Sequence, residues 1–261
     1  MEFTEKHAEL VGLHYGDGSF TFRHDQNTFR FQLRGDAVSD RAHYEEFIIP
    51  LCNEVASLPV LGRGVRTVWD RKLNSFGICI QGSKLKDFFA ALGIAPGMKG
   101  ELPVPKWIME NGEFSKAFVR GLFDTDGGIY YGRNNTAKSR LPTKGVIKIV
   151  SVSRVLMADV SVILQRLGIK HYFRAGKKYA KNRKVPHFVV IYPPHIHTFM
   201  RVIGSHNPKH QSKYNIAQKF GFCPSRTTPI QRGQILKGEL NPISLLKRGS
   251  DSGQFQQLEV L

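Results

Sequence analysis

A short pattern of glycine and aspartate occurs twice in this chain, each time at the end of an apolar run. The first copy reads LVGLHYGDG over residues 10–18, and the second reads VRGLFDTDG over residues 119–127. Glycine costs about 1 kcal/mol in a helix interior. An aspartate at a helix C-terminus faces the negative end of the helix dipole. Because two locally unfavourable choices recur together, the pattern indicates a constraint that comes from tertiary structure or from function.

The residues after the two copies repeat the same order of secondary structure. Asp17 and Asp126 are 109 residues apart, and the downstream segments recur at a similar offset. Alternating apolar and polar residues predict strands over 18–24, 28–35, 64–72, 75–82, 127–133, 145–153, 170–178 and 186–192. Helical runs precede, separate and follow these hairpins in both halves. Each half therefore predicts the order α-β-β-α-β-β-α, and we expect two similar lobes that pack together.

Composition divides the chain into four parts. We expect a first repeat over residues 1–94, a linker over 95–107 and a second repeat over 108–221. From residue 222 the pattern fades into Pro, Ser, Gly and Gln. This predicts a poorly structured C-terminal tail, with one short helix, over 222–261.

The chain is strongly basic, with 38 Lys and Arg against 21 Asp and Glu and a net charge of +17. This excess indicates a polyanionic partner, nucleic acid first and an anionic membrane surface second; a basic protein with neither partner is the alternative. No stretch approaches 18 apolar residues, so we expect no transmembrane helix and no membrane partner. Three widely spaced cysteines without a CxxC pair predict reduced thiols. The first residues lack a signal peptide, and we expect a cytoplasmic, nucleoid-associated protein of a prokaryote or an organellar one.

The two motifs resemble those of the LAGLIDADG homing endonucleases in their single-chain, two-repeat form. The second copy, FVRGLFDTDG, is close to a common form of the family motif, whereas in the first copy Tyr15 stands where the family often has an acid. The resemblance extends over about residues 5–220, and IGSHNPKHQSKY at 203–214 is similar to the end of a second repeat. It implies an α+β fold of two pseudo-symmetric αββαββα repeats with saddle-shaped antiparallel sheets, packed through the two motif helices.

The motif residues suit such a helix pair. Small side chains one turn apart let two helix backbones approach closely, and these are Gly12, Gly16, Gly121 and Thr125. Close approach brings Asp17 and Asp126 to one point, where the two carboxylates repel each other and both helix dipoles. A divalent cation relieves this repulsion, and oxygen ligands suit Mg²⁺, with Mn²⁺ as a substitute. A single Asp-Gly after a helix is usually only a turn, but two matched copies favour a metal site.

The resemblance also implies roles for neighbouring residues. In the family, the backbone carbonyls just before the acids join the metal ligands, which corresponds to Gly16 and Thr125. Each acid is associated with cleavage of one strand across the minor groove, giving a double-strand break with short 3′ overhangs. Polar side chains surround the attacking water, and the candidates here are Gln32, Arg34, Lys148 and Ser151, with Gln81 and Lys84 as a further group. For each of these alone, a solvated strand residue is the alternative.

The hairpins are the candidate DNA-reading surface. In TFRFQLRG, Phe29, Phe31 and Leu33 share one face, and the polar residues between them share the other. Two sheets of this kind, side by side, would follow the major groove on either side of the cut. Arginine can read guanine and glutamine can read adenine, whereas lysines at loop tips hold phosphates. The candidates are Arg23, Arg30, Gln32, Arg34, Arg66, Arg71, Lys72, Arg133, Lys138, Arg140, Lys148, Arg174, Lys177 and Lys178.

The sequence therefore predicts a monomeric, site-specific endonuclease that cuts double-stranded DNA at a long target site, of the kind that serves intron or intein homing. Two alternatives on the same fold are an RNA-binding maturase, with its host intron RNA as partner, and a DNA-binding regulator without catalysis. His206-Asn207 resembles the end of an intein, but Pro208 follows it inside the chain, so we expect no protein splicing.

Overall fold

The computed structural model describes residues 2–133, 141–177 and 184–246. The first repeat begins with a helix, Glu5–Tyr15, which we call the first motif helix. It continues with β1 (Gly18–Arg23), β2 (Thr28–Asp36), a helical segment over 41–61, β3 (Arg66–Asp70), β4 (Ser75–Gln81) and a helix, Leu85–Ala91. The order is the one that the sequence pattern predicts.

The second repeat follows a short helix, Lys106–Met109, and begins with the second motif helix, Gly112–Asp126. It continues with β5 (Gly127–Gly132), β6 (Lys144–Ser151), a helix over Arg154–Arg166, β7 (Tyr172–Ala175), β8 (His187–Ile191) and a helix over His195–Val202. Both sheets are antiparallel, with strand orders β1-β2-β4-β3 and β5-β6-β8-β7. The identical order confirms the internal repeat.

Each sheet has one face against the helices and one face turned away from them. In β2, Phe31 and Leu33 are fully buried while Gln32 between them is partly exposed; in β6, Ile147 and Ile149 are fully buried while Lys148 is partly exposed. This alternation buries one face of the sheet in the core. We call the other face of each sheet its open face.

The two motif helices are in backbone contact, as the small residues predict. A Cβ atom on Gly12 would overlap the carbonyl oxygen of Phe118, and one on Gly121 would overlap that of Glu9. One turn further along, a Cβ on Gly16 would overlap the side chain of Thr125. Glycine is therefore required at the crossing, where any side chain would push the lobes apart.

The C-terminal region is more ordered than the sequence predicts. A helix over Pro208–Phe220 is followed by Pro229–Lys237, whose N-terminus is held by a capping box between Thr228 and Gln231. Between these helices, Ile216 and Ile235 are fully buried. The one short helix expected in the tail is present as Pro229–Lys237, and its Pro and Gly residues mark the caps of that helix. Residues 247–261 lie outside the described residues.

Among the described residues, no helix combines the length and the apolar composition needed to span a bilayer.

The helix crossing is tested by a pair of identical substitutions. We expect Gly121→Ala to lower the free energy of unfolding by about 2 kcal/mol, because the added methyl group meets backbone of the partner helix. The control is Gly233→Ala, in the helix Pro229–Lys237, where a Cβ meets nothing within 4 Å. It should stabilise the protein by about 0.5 kcal/mol through helix propensity. Urea denaturation measures both, and equal effects of the two substitutions would contradict the backbone contact.

Candidate active site

Two aspartates meet where the motif helices end. Asp17 follows the C-cap of the first motif helix, and Asp126 is the last residue of the second. Because Gly16 lies against Thr125, the residues that follow them are brought side by side. Asp17 is exposed and Asp126 is partly buried. The predicted meeting of one acid from each repeat is therefore present in the fold.

The two carboxyl groups are hard to ionise together. Although Asp17 reaches solvent, the protein atoms packed around its carboxyl group desolvate it and raise its pKa to about 7, with the charge of Asp126 as the next cause. Burial also raises the pKa of Asp126 to about 6, against the opposing charge of Lys99. A pair of carboxyl groups with raised pKa values in a cleft lacks positive charge. Such a pair attracts a cation.

Lys99, in the segment between the repeats, lies beside the acid pair. Its ammonium group donates hydrogen bonds to the carbonyl oxygens of His14 (3.1 Å) and Tyr15 (3.2 Å), and also to that of Gly16. These are end carbonyls of the first motif helix, which a cation stabilises. Sequence reasoning missed Lys99, since a lone lysine in a linker has no pattern that places it at a helix end.

A cavity of about 290 Å³ opens beside the acids. Gly16, Lys99, Asp126 and Ser151 line it. The structure thus brings Ser151, a candidate from sequence, to the same cavity as an acid. The carbonyl oxygen of Gly16, a predicted metal ligand, accepts a hydrogen bond from the ammonium group of Lys99.

Three other predicted site residues, Arg34, Gln32 and Lys148, are placed relative to the acids by their neighbours and by strand register. Burial raises the pKa of Tyr44, Asp17 raises it further and Arg34 lowers it, so Asp17 and Arg34 both lie near the Tyr44 hydroxyl. Gln32 pairs with Ser19 across the sheet, two residues beyond Asp17. Lys148 holds the equivalent position in the second sheet, opposite Gly128.

Three further candidates make local contacts. The Thr125 hydroxyl donates to the carbonyl oxygens of Gly121 (3.0 Å) and Leu122 (3.1 Å), inside its own helix. Gln81 donates its side-chain amide to Gln26, at the outer end of the first hairpin. Lys84 is the residue before the helix Leu85–Ala91.

Most of the predicted DNA-facing residues of the first lobe share its open face. The register places Arg30 opposite Thr21, and Gln32 opposite Cys79, which in turn faces Arg66. Arg23 lies two residues beyond Thr21 on β1, and Arg34 lies two residues beyond Gln32 on β2, so both are on this same face. Together the open-face residues with long polar side chains include Arg23, Arg30, Gln32, Arg34, Arg66 and Gln81.

The strand-end candidates are placed differently. Arg71 lies over the ring of Trp69 at 5.0 Å, and Trp69 pairs with the buried Phe76 on the helix side of the sheet. Arg71 therefore lies on the Trp69 side of the sheet, and its predicted DNA contact stays a prediction. Lys72 lies in the β3–β4 turn, where its backbone NH donates a hydrogen bond to the Asp70 carboxylate.

In the second lobe, Lys148 and Arg174 are on the open face by register. Arg133, directly after β5, and Lys177, beyond β7, are exposed. Three more predicted contacts lie outside the described residues, namely Lys138, Arg140 and Lys178.

The sixth residue of each motif anchors a chain segment behind the helix pair. In the second motif this residue is Asp124, which is fully buried and accepts hydrogen bonds from the backbone of His206 (2.7 Å) and from Ser205. Burial alone would raise the pKa of Asp124, but the nearby imidazoles of His210 (3.6 Å) and His43 (3.7 Å) and the hydrogen bond from Ser205 hold it below its usual range. In the first motif the equivalent residue is Tyr15, whose hydroxyl donates to Pro103 (3.0 Å).

A second polar cluster joins the repeats at Glu9. Arg120 binds the buried Glu9 carboxylate with two hydrogen bonds of 2.9 and 2.8 Å, and His206 contacts the same carboxylate at 2.8 Å. Glu9, Asp124 and His206 are close enough to hold a metal ion. However, both oxygens of Glu9 already face the guanidinium of Arg120, which supplies the positive charge. We interpret the cluster as an ion-paired clasp between the two repeats.

The comparisons with known proteins agree with this architecture. A family model of the LAGLIDADG-like domain matches residues 113–204, the second repeat. Among solved structures, one of mesophilic variants from the homing endonuclease I-DmoI is 16% identical, with a TM-score of 0.55 over 77% of this chain and 95% of that one. The crystal structure of I-DmoI in complex with DNA and Mn is 19% identical, with a TM-score of 0.54 over 77% and 96%.

A third similar structure covers more of the chain. The meganuclease I-SmaMI, bound to uncleavable DNA, is 14% identical, with a TM-score of 0.53 over 90% of this chain and 98% of that one. No curated protein matches the sequence. At these identities the structural matches establish the fold, and the roles of single residues rest on the geometry of this chain.

The repulsion between the acids predicts that removing one of them stabilises the metal-free protein. Since the pKa of Asp17 lies near 7 instead of 3.8, ionising it in the fold has a cost that is fully present above pH 7 and absent below about pH 4. Solvent reaches Asp17 and screens the repulsion. We therefore expect Asp17→Asn to raise the free energy of unfolding in EDTA by about 1 kcal/mol at pH 8.

Denaturant unfolding at pH 8 and at pH 4 measures this effect. The control is Asp87→Asn, in the exposed first turn of the helix Leu85–Ala91, which should lower the free energy of unfolding at pH 8 by about 0.3 kcal/mol, opposite in sign to Asp17→Asn, because it removes a favourable charge at a helix N-terminus. A destabilised Asp17→Asn protein at pH 8 would contradict the mutual repulsion.

Proposed function

The chain is a two-repeat protein with the LAGLIDADG fold, and we propose that it is a metal-dependent, site-specific endonuclease that cuts both strands of DNA. One observation carries this proposal. Each repeat contributes one carboxyl group to the same point, where the motif helices end. The pKa values of both groups are raised, and sheets rich in arginine and lysine flank them.

The donor set fits a hard divalent cation. Asp17 and Asp126 offer carboxylate oxygens, which are ligands that Mg²⁺ and Mn²⁺ prefer, while the Gly16 carbonyl oxygen accepts a hydrogen bond from Lys99. We propose Mg²⁺ as the natural ion. When bound, the ion supplies a positive charge that lowers the pKa of water and offsets the charge that builds on the scissile phosphate.

The protein's own side chains complete the site. Lys99 is held at the end carbonyls of the first motif helix, so its charge stays beside Asp126 and is available to a phosphate in the adjoining cavity. Ser151 lines the same cavity and can orient a water molecule by a hydrogen bond. Gln32 and Lys148 hold matching positions two residues beyond the acids and are proposed to serve one DNA strand each.

DNA binding is assigned to the open faces of the two sheets. The first lobe presents several arginines on one surface, and arginine combines phosphate contacts with the ability to read guanine. A binding protein without catalysis would gain nothing from two acids that repel each other and the DNA phosphates. The acid pair therefore favours cleavage over a purely regulatory role.

A cleavage assay with matched variants tests the proposal. We expect the purified protein to linearise a plasmid that carries its target, drawn from a library of intronless alleles, with Mg²⁺ and not with EDTA. Asp17→Asn and Asp126→Asn should each lower the cleavage rate by at least about 100-fold, because each removes a metal ligand. DNA affinity should stay within about threefold, because phosphate contacts dominate it.

Asp87→Asn is the control and should cleave like the unaltered protein. If the chain binds a target but both acid variants still linearise it at the original rate, the proposed roles of Asp17 and Asp126 are wrong. Binding to a defined duplex without any metal-dependent product would instead indicate a regulator.

A further inference from the structure

The open faces of the two lobes carry different chemistry at equivalent positions. Gly18 pairs with Leu33 in the first sheet, as Gly127 pairs with Ile149 in the second. Leu33 on β2 is therefore equivalent to Ile149 on β6, and the same offset gives the other matching residues. Arg30 corresponds to Val146, and Arg34 corresponds to Val150. Two arginines of the first lobe are thus replaced by valines in the second.

The outer strands show the same difference. Arg66 pairs with Cys79 in the first sheet, as Tyr172 pairs with Val190 in the second, so Tyr172 stands where the first lobe has an arginine. On β5, Tyr130 stands at the position of Thr21 on β1. Tyr130 and Tyr172 are 55% and 66% exposed, which is unusual for rings that could have been buried.

The cations of the second lobe lie against these aromatic rings. Lys148 and Lys213 each place their ammonium group 5.7 Å from the ring of Tyr130. Lys144 lies 5.8 Å from Tyr192, and the guanidinium of Arg174 lies 5.9 Å from Phe188. These contacts hold the charges over rings at distances typical of cation–π pairs. They present methylene groups and ring edges alongside the charge.

A depression of about 830 Å³ on this lobe collects the apolar groups. Its lining combines Tyr172, Val190 and Tyr192 with two cations, Lys144 and Arg174. The first lobe has arginine, glutamine and cysteine at the matching open-face positions Arg66, Gln81 and Cys79. Because Cys79 and Val190 are buried, the contrast that DNA could contact lies between Arg66 and Tyr172 and between Gln81 and Tyr192.

Resting on the proposed nuclease function, we propose that the two lobes read DNA by different means. In the major groove, arginine and glutamine make paired hydrogen bonds to guanine and adenine, whereas apolar groups contact the C5 methyl of thymine. The first lobe recognises its half-site through hydrogen bonds. The second lobe recognises a thymine-rich half-site through methyl contacts of Val146, Val150 and the exposed tyrosines. The natural substrate is therefore a duplex with chemically unlike half-sites.

Deoxyuridine substitution tests this directly, because uracil lacks the C5 methyl and keeps every hydrogen-bonding group of thymine. A randomised duplex pool is first selected for binding to the full chain without added divalent metal. Thymines of the selected duplex are then replaced in one half-site at a time. We expect about fourfold weaker binding per contacted thymine in one half-site and less than twofold in the other.

Exchange variants assign the half-sites to the lobes. Val146→Arg should reduce the uracil effect in the sensitive half-site and shift its preference toward guanine at one base pair. Arg30→Val should create a uracil effect in the other half-site, with loss of a guanine preference there. Melting temperatures of both variants verify that they fold, and Gly233→Ala serves as the control that changes neither preference.

The outcomes separate this inference from the nuclease proposal. If no duplex can be selected from the pool, the proposed DNA-binding function itself fails. If a duplex is selected and cleaved but uracil has equal effects in both half-sites, or none, the inference of methyl reading is overturned and the nuclease proposal stands. Tighter binding of single strands than of the selected duplex would also overturn it, since the tyrosines would then be stacking platforms.

Discussion

The backbone contact between the two motif helices is the interaction on which the rest of this structure depends. Gly12 and Gly121 each face a carbonyl oxygen of the partner helix, with no space for a Cβ atom. This contact sets the spacing of the lobes and the position of both helix ends. Because the acids follow directly, their distance is fixed by the crossing and not by their own loops. A change at either glycine therefore alters the site without touching it.

The same contact creates an electrostatic conflict that other residues relieve. Two carboxyl groups and two helix C-termini meet at one point, where burial raises the pKa values of both acids and the charge of Asp126 raises that of Asp17 further. Lys99 offsets part of this charge at the end of the first motif helix. The buried Glu9 of the first repeat is bound by Arg120 and His206 of the second, which joins the repeats, and Asp124 anchors the 205–207 segment within its own repeat. These buried contacts stabilise the helix pair and offset the destabilising repulsion at the acid pair.

The repeats have kept their cores alike and made their surfaces different. Phe31 and Leu33 in the first sheet correspond to Ile147 and Ile149 in the second, all fully buried. Between them, Arg30 and Arg34 correspond to Val146 and Val150 on the open face. Core positions must fill a closed space, so their character is shared between the lobes. Side chains on the open face are constrained by the surface that they bind. An asymmetric DNA duplex can therefore favour different side chains in each lobe.

The sequence by itself determined the two repeats, the strands and the pair of acids, because each of these follows from local periodicity or from a motif of nine residues. It could not place Lys99 at the acid pair, turn Arg71 onto Trp69 or assign Asp124 to the 205–207 segment. Each of these contacts joins groups whose positions depend on how helices and strands pack. The ordered structure of residues 222–246 likewise depends on tertiary packing, in which Ile235 is buried against Ile216. Local pattern fixes which groups are available, and only the three-dimensional packing decides which of them meet.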